Sequence, residues 1–195
     1  MHRASIGLTV ALLVLSALTR QADARVDVGV SISDEGLSGF YLAVGEYYRV
    51  PQREVLVIKE RRIPDEEIPV VFFLANAARV APATIIDLRL GGKSWMNITL
   101  QFGLSPSIFY VPVRTVPGPP YGKAYGYYKK RPRREWKTIV LADADVINFV
   151  NLKFISKHYS YAPEAVISLR EQGKPFVIIH QEVRKAKRGH RERAR

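Results

Sequence analysis

The chain has 195 residues, with 30 Lys and Arg against 18 Asp and Glu, a formal charge of +12, and no cysteine. An apolar content of 47% excludes wholesale disorder. The missing cysteines exclude a disulfide scaffold, a thiolate zinc site, an iron–sulfur cluster and a Cys nucleophile, while the basic excess points to an anionic partner.

Residues 1–24 read as a secretory signal peptide. His2 and Arg3 give a basic start, Ile6 to Leu18 is nearly uncharged and apolar, and Ala22-Asp23-Ala24 supplies a small-x-small cleavage pattern before Arg25. The expected mature protein is exported, to the periplasm or the outside of a bacterium. No later segment reaches the roughly 18 apolar residues of a membrane span, so no integral span is expected after cleavage. Residues 25–35 are predicted as an extended arm, in which Val26, Val28, Val30 and Ile32 alternate with polar or small residues as in a short strand.

Residues 36–104 are predicted as a first helical unit with leading helices. Ser33-Asp34-Glu35 offers a cap, and Leu37, Tyr41, Val44 and Tyr48 recur at helical spacing. Residues 51–61 are assigned a helix, although Val55-Leu56-Val57-Ile58 has the composition of a strand. Asp65-Glu66-Glu67 forms an acidic turn between Pro64 and Pro69. Helices are then predicted over Val70 to Ala78, Pro82 to Leu90 and Trp95 to Phe102, with Gly91-Gly92 closing the second of them. Gly91-Gly92-Lys93-Ser94 lacks the upstream glycine of a phosphate-binding loop.

Residues 138–183 are predicted as a second unit of the same kind. Asp143 or Asp145 caps a helix carrying Val146, Phe149, Val150, Leu152 and Ile155. Pro163 opens a second helix that ends at Gly173, and Phe176, Ile179 and Val183 mark a third. An ungapped shift that sets Ala81 on Ala162 superposes the two units. From position 81 to 98 eight of the eighteen residues are identical, including Ala81-Pro82 with Ala162-Pro163, Leu88-Arg89 with Leu169-Arg170, and Gly92-Lys93 with Gly173-Lys174. Trp95 falls on Phe176, and this ring is expected to plug the third helix against the first two. The fold class expected is therefore mainly α: two homologous three-helix units joined by a basic Pro/Gly/Tyr-rich linker, residues 105–137.

The charge divides unevenly. The stretch 114–137 holds eight basic residues and one acidic, +7, and the tail 184–195 holds seven and one, +6. The remainder of the mature chain holds 13 basic and 15 acidic residues, −2. In the linker, Tyr121, Tyr125, Tyr127 and Tyr128 interleave with Lys129, Lys130, Arg131, Arg133 and Arg134; in the tail, which is predicted to be disordered, lie Arg184, Lys185, Lys187 and Arg188. These thirteen residues are the predicted contacts for an anionic polymer or anionic membrane surface, the tyrosines acting as stacking platforms. The competing reading makes the linker a solvated seam cover and the tail a solubility aid.

No catalytic residue, metal site or cofactor is predicted. His158 and His180 fall opposite Ala77 and Thr99, so the repeat builds no paired metal site. Asp65, Glu67, Asp143 and Asp145 suit helix caps better than acid–base chemistry. Helix-turn-helix recognition is disfavoured because the third helices, Trp95 to Phe102 and from Phe176, lack exposed Arg and Lys beyond Lys93 and Lys174.

The spacing Pro-x-x-Val/Ile-Ile-x-Leu-Arg-x-x-Gly-x-x-Trp/Phe-x-x-Ile, at Pro82 to Ile98 and Pro163 to Ile179, resembles a motif repeated in uncharacterised exported bacterial proteins. The resemblance implies a helical fold and an export route and carries no catalytic residue. The function expected is an exported, non-enzymatic helical interaction or scaffold protein. The alternatives are a carboxylate-dependent hydrolase acting on an envelope polymer, and a nucleic-acid-binding protein.

Overall fold

The structure is a computed structural model that describes residues 34–193, with side chains through residue 189. The expected signal peptide, its cleavage point and the strand over 26–32 lie outside the described residues. The fold is mainly α, with no strand among the described residues.

Helix α1 (Asp34–Tyr48) opens with Asp34 and Glu35, whose charge favours the positive end of the helix dipole. These two residues, expected at the end of the extended arm, belong to the helix instead. Its buried face carries Phe40, Tyr41, Ala43 and Val44. Helix α2 (Gln52–Glu60) resolves the strand-like run Val55 to Ile58. Val55 and Ile58 are buried at helical spacing, while Leu56 and Val57 face outward, as a helix and not a strand requires.

Helices α3 (Ile68–Ala78), α4 (Pro82–Leu90) and α5 (Trp95–Gln101) form one three-helix run, and α7 (Asp143–His158), α8 (Pro163–Glu171) and α9 (Phe176–Arg193) form another. Equivalent positions of the two runs adopt the same local structure. Arg79 and Ser160 are both left-handed, with φ of 57° and 49°, and so are Gly92 and Gly173, at 86° and 82°. Val80 N–H donates to Ala75 O and Tyr161 N–H to Ser156 O, the wider bond of a helix-closing turn. Helices α3 and α7 are the most buried of each run and pack against each other. One continuous hydrophobic core runs through both.

Two expectations need correction. Residues 105–137 are not a solvated linker. They fold as a 3-10 turn at Pro106–Phe109, helix α6 (Gly122–Lys129) and a 3-10 turn at Arg133–Thr138. The prolines flank α6 and do not interrupt it. Tyr121, Tyr125 and Tyr128, spaced i, i+4, i+7, turn one face inward onto Phe149 of α7. The tail, expected to be disordered, is helical over its described residues, 184–193. Helix α9 continues through Val183 into the basic stretch as far as Arg193, so its third-helix core segment and its cationic segment are one rod.

Helix α1 lies close to α9. A Cβ placed on Gly36 would overlap the side chain of Gln181, and one on Gly39 would fall 2.8 Å from Arg184 Nη1. The missing side chains let the helices approach and seat Arg184 across α1.

Candidate functional site

Six of the basic residues line two separate grooves, three in each, that share no lining residue. The first, about 530 Å³, lies between the 110–116 segment, α6 and the Arg133–Thr138 turn. Tyr110, Tyr128 and Trp136 form an aromatic cluster, with ring centres 4.7 Å apart for Tyr110 and Trp136, 5.1 Å for Tyr110 and Tyr128, and 4.9 Å for Tyr128 and Trp136. The Trp136 indole N–H donates to the carbonyls of Tyr128 and Arg131, each at 3.1 Å, which fixes the ring plane. Arg114, Lys129 and Arg133 border these rings, and the Arg133 guanidinium lies 5.4 Å from the Trp136 ring centre.

The second groove, about 710 Å³, lies at the junction of α1, α7 and α9. Arg184, Lys187 and Arg188 line it from α9, at the i, i+3, i+4 positions that share one helix face. Glu46 of α1 and His158, Tyr159 and Ser160 at the end of α7 form its other wall. His158 Nε2 lies 3.5 Å from Glu46 Oε2. His180, one turn before Arg184, is fully buried beneath, 5.6 Å from the Tyr159 ring centre and 5.7 Å from that of Phe40. Neither of its ring nitrogens has a hydrogen-bond partner.

Of the thirteen predicted contact residues, Tyr125, Tyr128, Lys129 and Arg133 line the first groove, and Arg184, Lys187 and Arg188 the second. Lys130, Arg131, Arg134 and Lys185 are exposed and line neither. Tyr127 is half-buried with Arg131 over its ring at 5.9 Å.

The stacking role predicted for Tyr121, Tyr125 and Tyr128 is corrected by their burial. Their hydroxyls donate to the carbonyls of Asn148, Val111 and Pro106 respectively. Burial, first among the causes, raises all three phenol pKa values well above the ordinary range. The half-buried rings that line the first groove are Tyr110 and Trp136. Sequence reasoning misses them because they stand outside the dense Tyr/Lys run, and only the fold brings them together.

The acidic residues are committed elsewhere. Arg89 chelates Glu67 with two bonds of 2.9 Å and reaches Asp143 at 2.6 Å. Asp143 also accepts the Trp95 N–H at 2.7 Å, capping α5. Reciprocally, Glu66 accepts the Phe176 N–H at the start of α9 and pairs with Arg170. Asp65 accepts the Tyr41 hydroxyl, and Asp145 accepts the Ala142 N–H at 3.0 Å. Asp65, Glu67, Asp143 and Asp145, expected at helix caps, are therefore not all separate: Glu67 and Asp143 meet on a single guanidinium.

Buried His180 makes a pH prediction. Burial foremost, then Arg184 and His158, hold its pKa down at about 4, below the ordinary 6.5. The folded state thus prefers the neutral ring, and its contribution to stability is complete above pH 6.5. That contribution falls as pH drops from 6.5 toward 4, because the unfolded chain takes up the proton first. Denaturant unfolding of the wild type across this window should show the decline, and His180→Leu should flatten it. An unchanged slope in His180→Leu assigns the decline to other groups.

No family model matches the chain, and no curated protein or solved structure does. Among the described residues no helix is long and apolar enough to cross a membrane.

Proposed function

We propose that the chain is an exported, non-enzymatic helical binding protein that holds an anionic polysaccharide in the first groove. The observation that carries this reading is the pairing of two half-buried aromatic rings, Tyr110 and Trp136, with Arg114, Lys129 and Arg133 around one concavity. Flat ring faces suit sugar rings, and the cations suit the carboxylates or sulfates along such a chain. Because the ring plane of Trp136 is set by two backbone carbonyls, little ordering remains to be done on binding.

The hydrolase alternative predicts at least two carboxylates facing one cleft, about 5–9.5 Å apart if it cuts sugars. Asp65, Glu66 and Glu67 do line one small cleft of about 290 Å³, but they and Asp143 and Asp145 each already accept from a backbone N–H, a tyrosine or an arginine. That supports the binding reading over the catalytic one.

The test is fluorescence titration of the protein with a polyuronate oligosaccharide and, separately, a single-stranded oligonucleotide, over a NaCl series. We expect saturable polyuronate binding that weakens steadily with salt. Trp136→Ala should weaken it by about tenfold or more, the size of one lost stacking contact. Arg133→Gln should lower the salt slope by about one. Preference for the oligonucleotide would replace the polysaccharide reading with the nucleic-acid alternative. Retention of neither polymer at low salt would end both.

A further inference from the structure

The second groove has a different chemistry from the first. It holds no tryptophan and no stacked aromatic pair facing the opening; its character is set by three cations on one side of a helix. Among the described residues, Arg184, Lys187 and Arg188 have no carboxylate within ion-pair distance. The one acidic residue in the groove, Glu46, faces His158 across 3.5 Å. Burial, first among the causes, lowers the His158 pKa, so the imidazole does not neutralise that carboxylate, and the groove presents three cations against one acidic residue in a single concavity.

Two further features make it suited to a compact, multiply charged anion. The end of α7 would ordinarily present exposed carbonyls there. Instead the carbonyls of Ile155, Ser156 and Lys157 already accept the N–H groups of Tyr159, Tyr161 and Ser160. These bonds occupy three carbonyls of the last turn, and the three cations offset the negative end of the helix dipole that remains there. In addition, the Arg184 guanidinium lies across Gly39 of α1, whose missing side chain leaves room for it. A guanidinium flanked by a lysine and a second arginine matches the terminal oxygens of a phosphoryl group, with the fork donating to two oxygens and the ammonium to a third.

We propose that the groove formed by Arg184, Lys187 and Arg188 of α9 with His158 and Ser160 at the end of α7 is a phosphoryl-binding site. It is separate from the polysaccharide groove and does not rest on that reading. A phosphate monoester and the phosphodiester headgroup of an anionic lipid share this chemistry, and the test separates them.

The full chain is titrated with inorganic phosphate and with glycerol phosphate by calorimetry, and with phosphatidylcholine vesicles with and without phosphatidylglycerol by sedimentation. Binding of either soluble phosphate assigns a free phosphoryl ligand. Binding only to the phosphatidylglycerol vesicles assigns a lipid headgroup. In either case Arg184→Gln and Lys187→Gln should each weaken binding by about tenfold, and the double variant by more. Lys129→Gln, in the other groove, should leave it unchanged. Gly39→Ala, which displaces Arg184 without removing a charge, should weaken binding too. Both Gln variants lie on exposed or half-exposed positions, so their folding is checked by the same melting curve as the wild type. The proposal is overturned if neither soluble phosphate nor the vesicles bind. It is also overturned if binding is untouched by the double variant, or if Lys129→Gln weakens it as much as Lys187→Gln does.

Discussion

Arg89→Ala lowers the free energy of unfolding by about 3–5 kcal/mol, the cost of breaking a buried ion pair from one side. Arg89 is 20% exposed and Glu67 only 11%, so the carboxylate left behind has little access to water. Asp143, at 33%, is partly rehydrated and adds less. The guanidinium also donates to Lys93 O at 3.2 Å and lies 4.6 Å from the Trp95 ring centre. Burial works against its charge, but hydrogen bonds to Glu67 and Asp143 more than offset this and hold it protonated. The equivalent arginine of the second run is the internal control. Arg170 repeats the bond to a lysine carbonyl, at 3.0 Å, and the ring contact, at 4.5 Å from Phe176. Its main partner, however, is the neutral Asn148, which takes the place of Glu67 in the repeat. Its charged partner Glu66 is 25% exposed and 3.3 Å away. Arg170→Ala should cost about 1–3 kcal/mol, because the more distant Glu66 keeps the Phe176 N–H as a partner and Asn148 carries no charge. Urea unfolding of both variants decides it. Adding Glu67→Gln to Arg89→Ala should recover part of the loss. An Arg170→Ala variant as unstable as Arg89→Ala, or no recovery in the double variant, contradicts this account.

The contrast between the two arginines shows what the sequence could and could not carry. Helices α3, α4, α5, α7 and α8 were legible because each is bounded by local chemistry. Pro82 and Pro163 open helices, Gly92 and Gly173 end them, and the apolar residues recur at helical spacing. The carboxylates that cap α5 and α9 were not legible in their pairings. Asp143 reaches back to Trp95, and Glu66 reaches forward to Phe176, each from a distant part of the chain, so neither pairing is local, although α5 also has a local cap in Ser94, which accepts the Asn97 N–H. Local reasoning rightly placed acids at helix starts but assigned each to its own helix.

The two basic stretches mislead for opposite reasons. In 105–137 the prolines outweigh the i, i+4, i+7 spacing of Tyr121, Tyr125 and Tyr128, although Pro120 and Pro132 only bracket α6. In 184–195 the density of charge outweighs helix propensity, yet Arg and Lys are good helix formers once a buried segment has nucleated the helix. Phe176 to Val183 supplies that nucleus. Both stretches consequently present their cations from fixed backbones. That is why they make two grooves and not one diffuse basic cloud.

The other large effect is at the ring that locks the first run. Trp95→Ala should cost about 3–5 kcal/mol, the range for truncating a fully buried aromatic. Trp95 has no exposed surface, and Arg89 lies over it. Loss of the ring therefore opens a cavity and also frees the guanidinium that holds Glu67 and Asp143. Trp95→Phe is expected to behave differently. The indole N–H of Trp95 is buried without a partner, a defect that phenylalanine does not have. At the equivalent position of the second run Phe176 already fills the same role, fully buried under Arg170. The lost volume and the removed defect oppose each other, and Trp95→Phe should stay within about 1.5 kcal/mol of the wild type. Denaturant unfolding followed by far-ultraviolet circular dichroism measures all three proteins without relying on Trp95 fluorescence. If Trp95→Ala unfolds with the wild type, the ring is not the lock. If Trp95→Phe is as damaging as alanine, indole shape and not ring burial is what the first run requires, and the equivalence of Trp95 with Phe176 ends at sequence position.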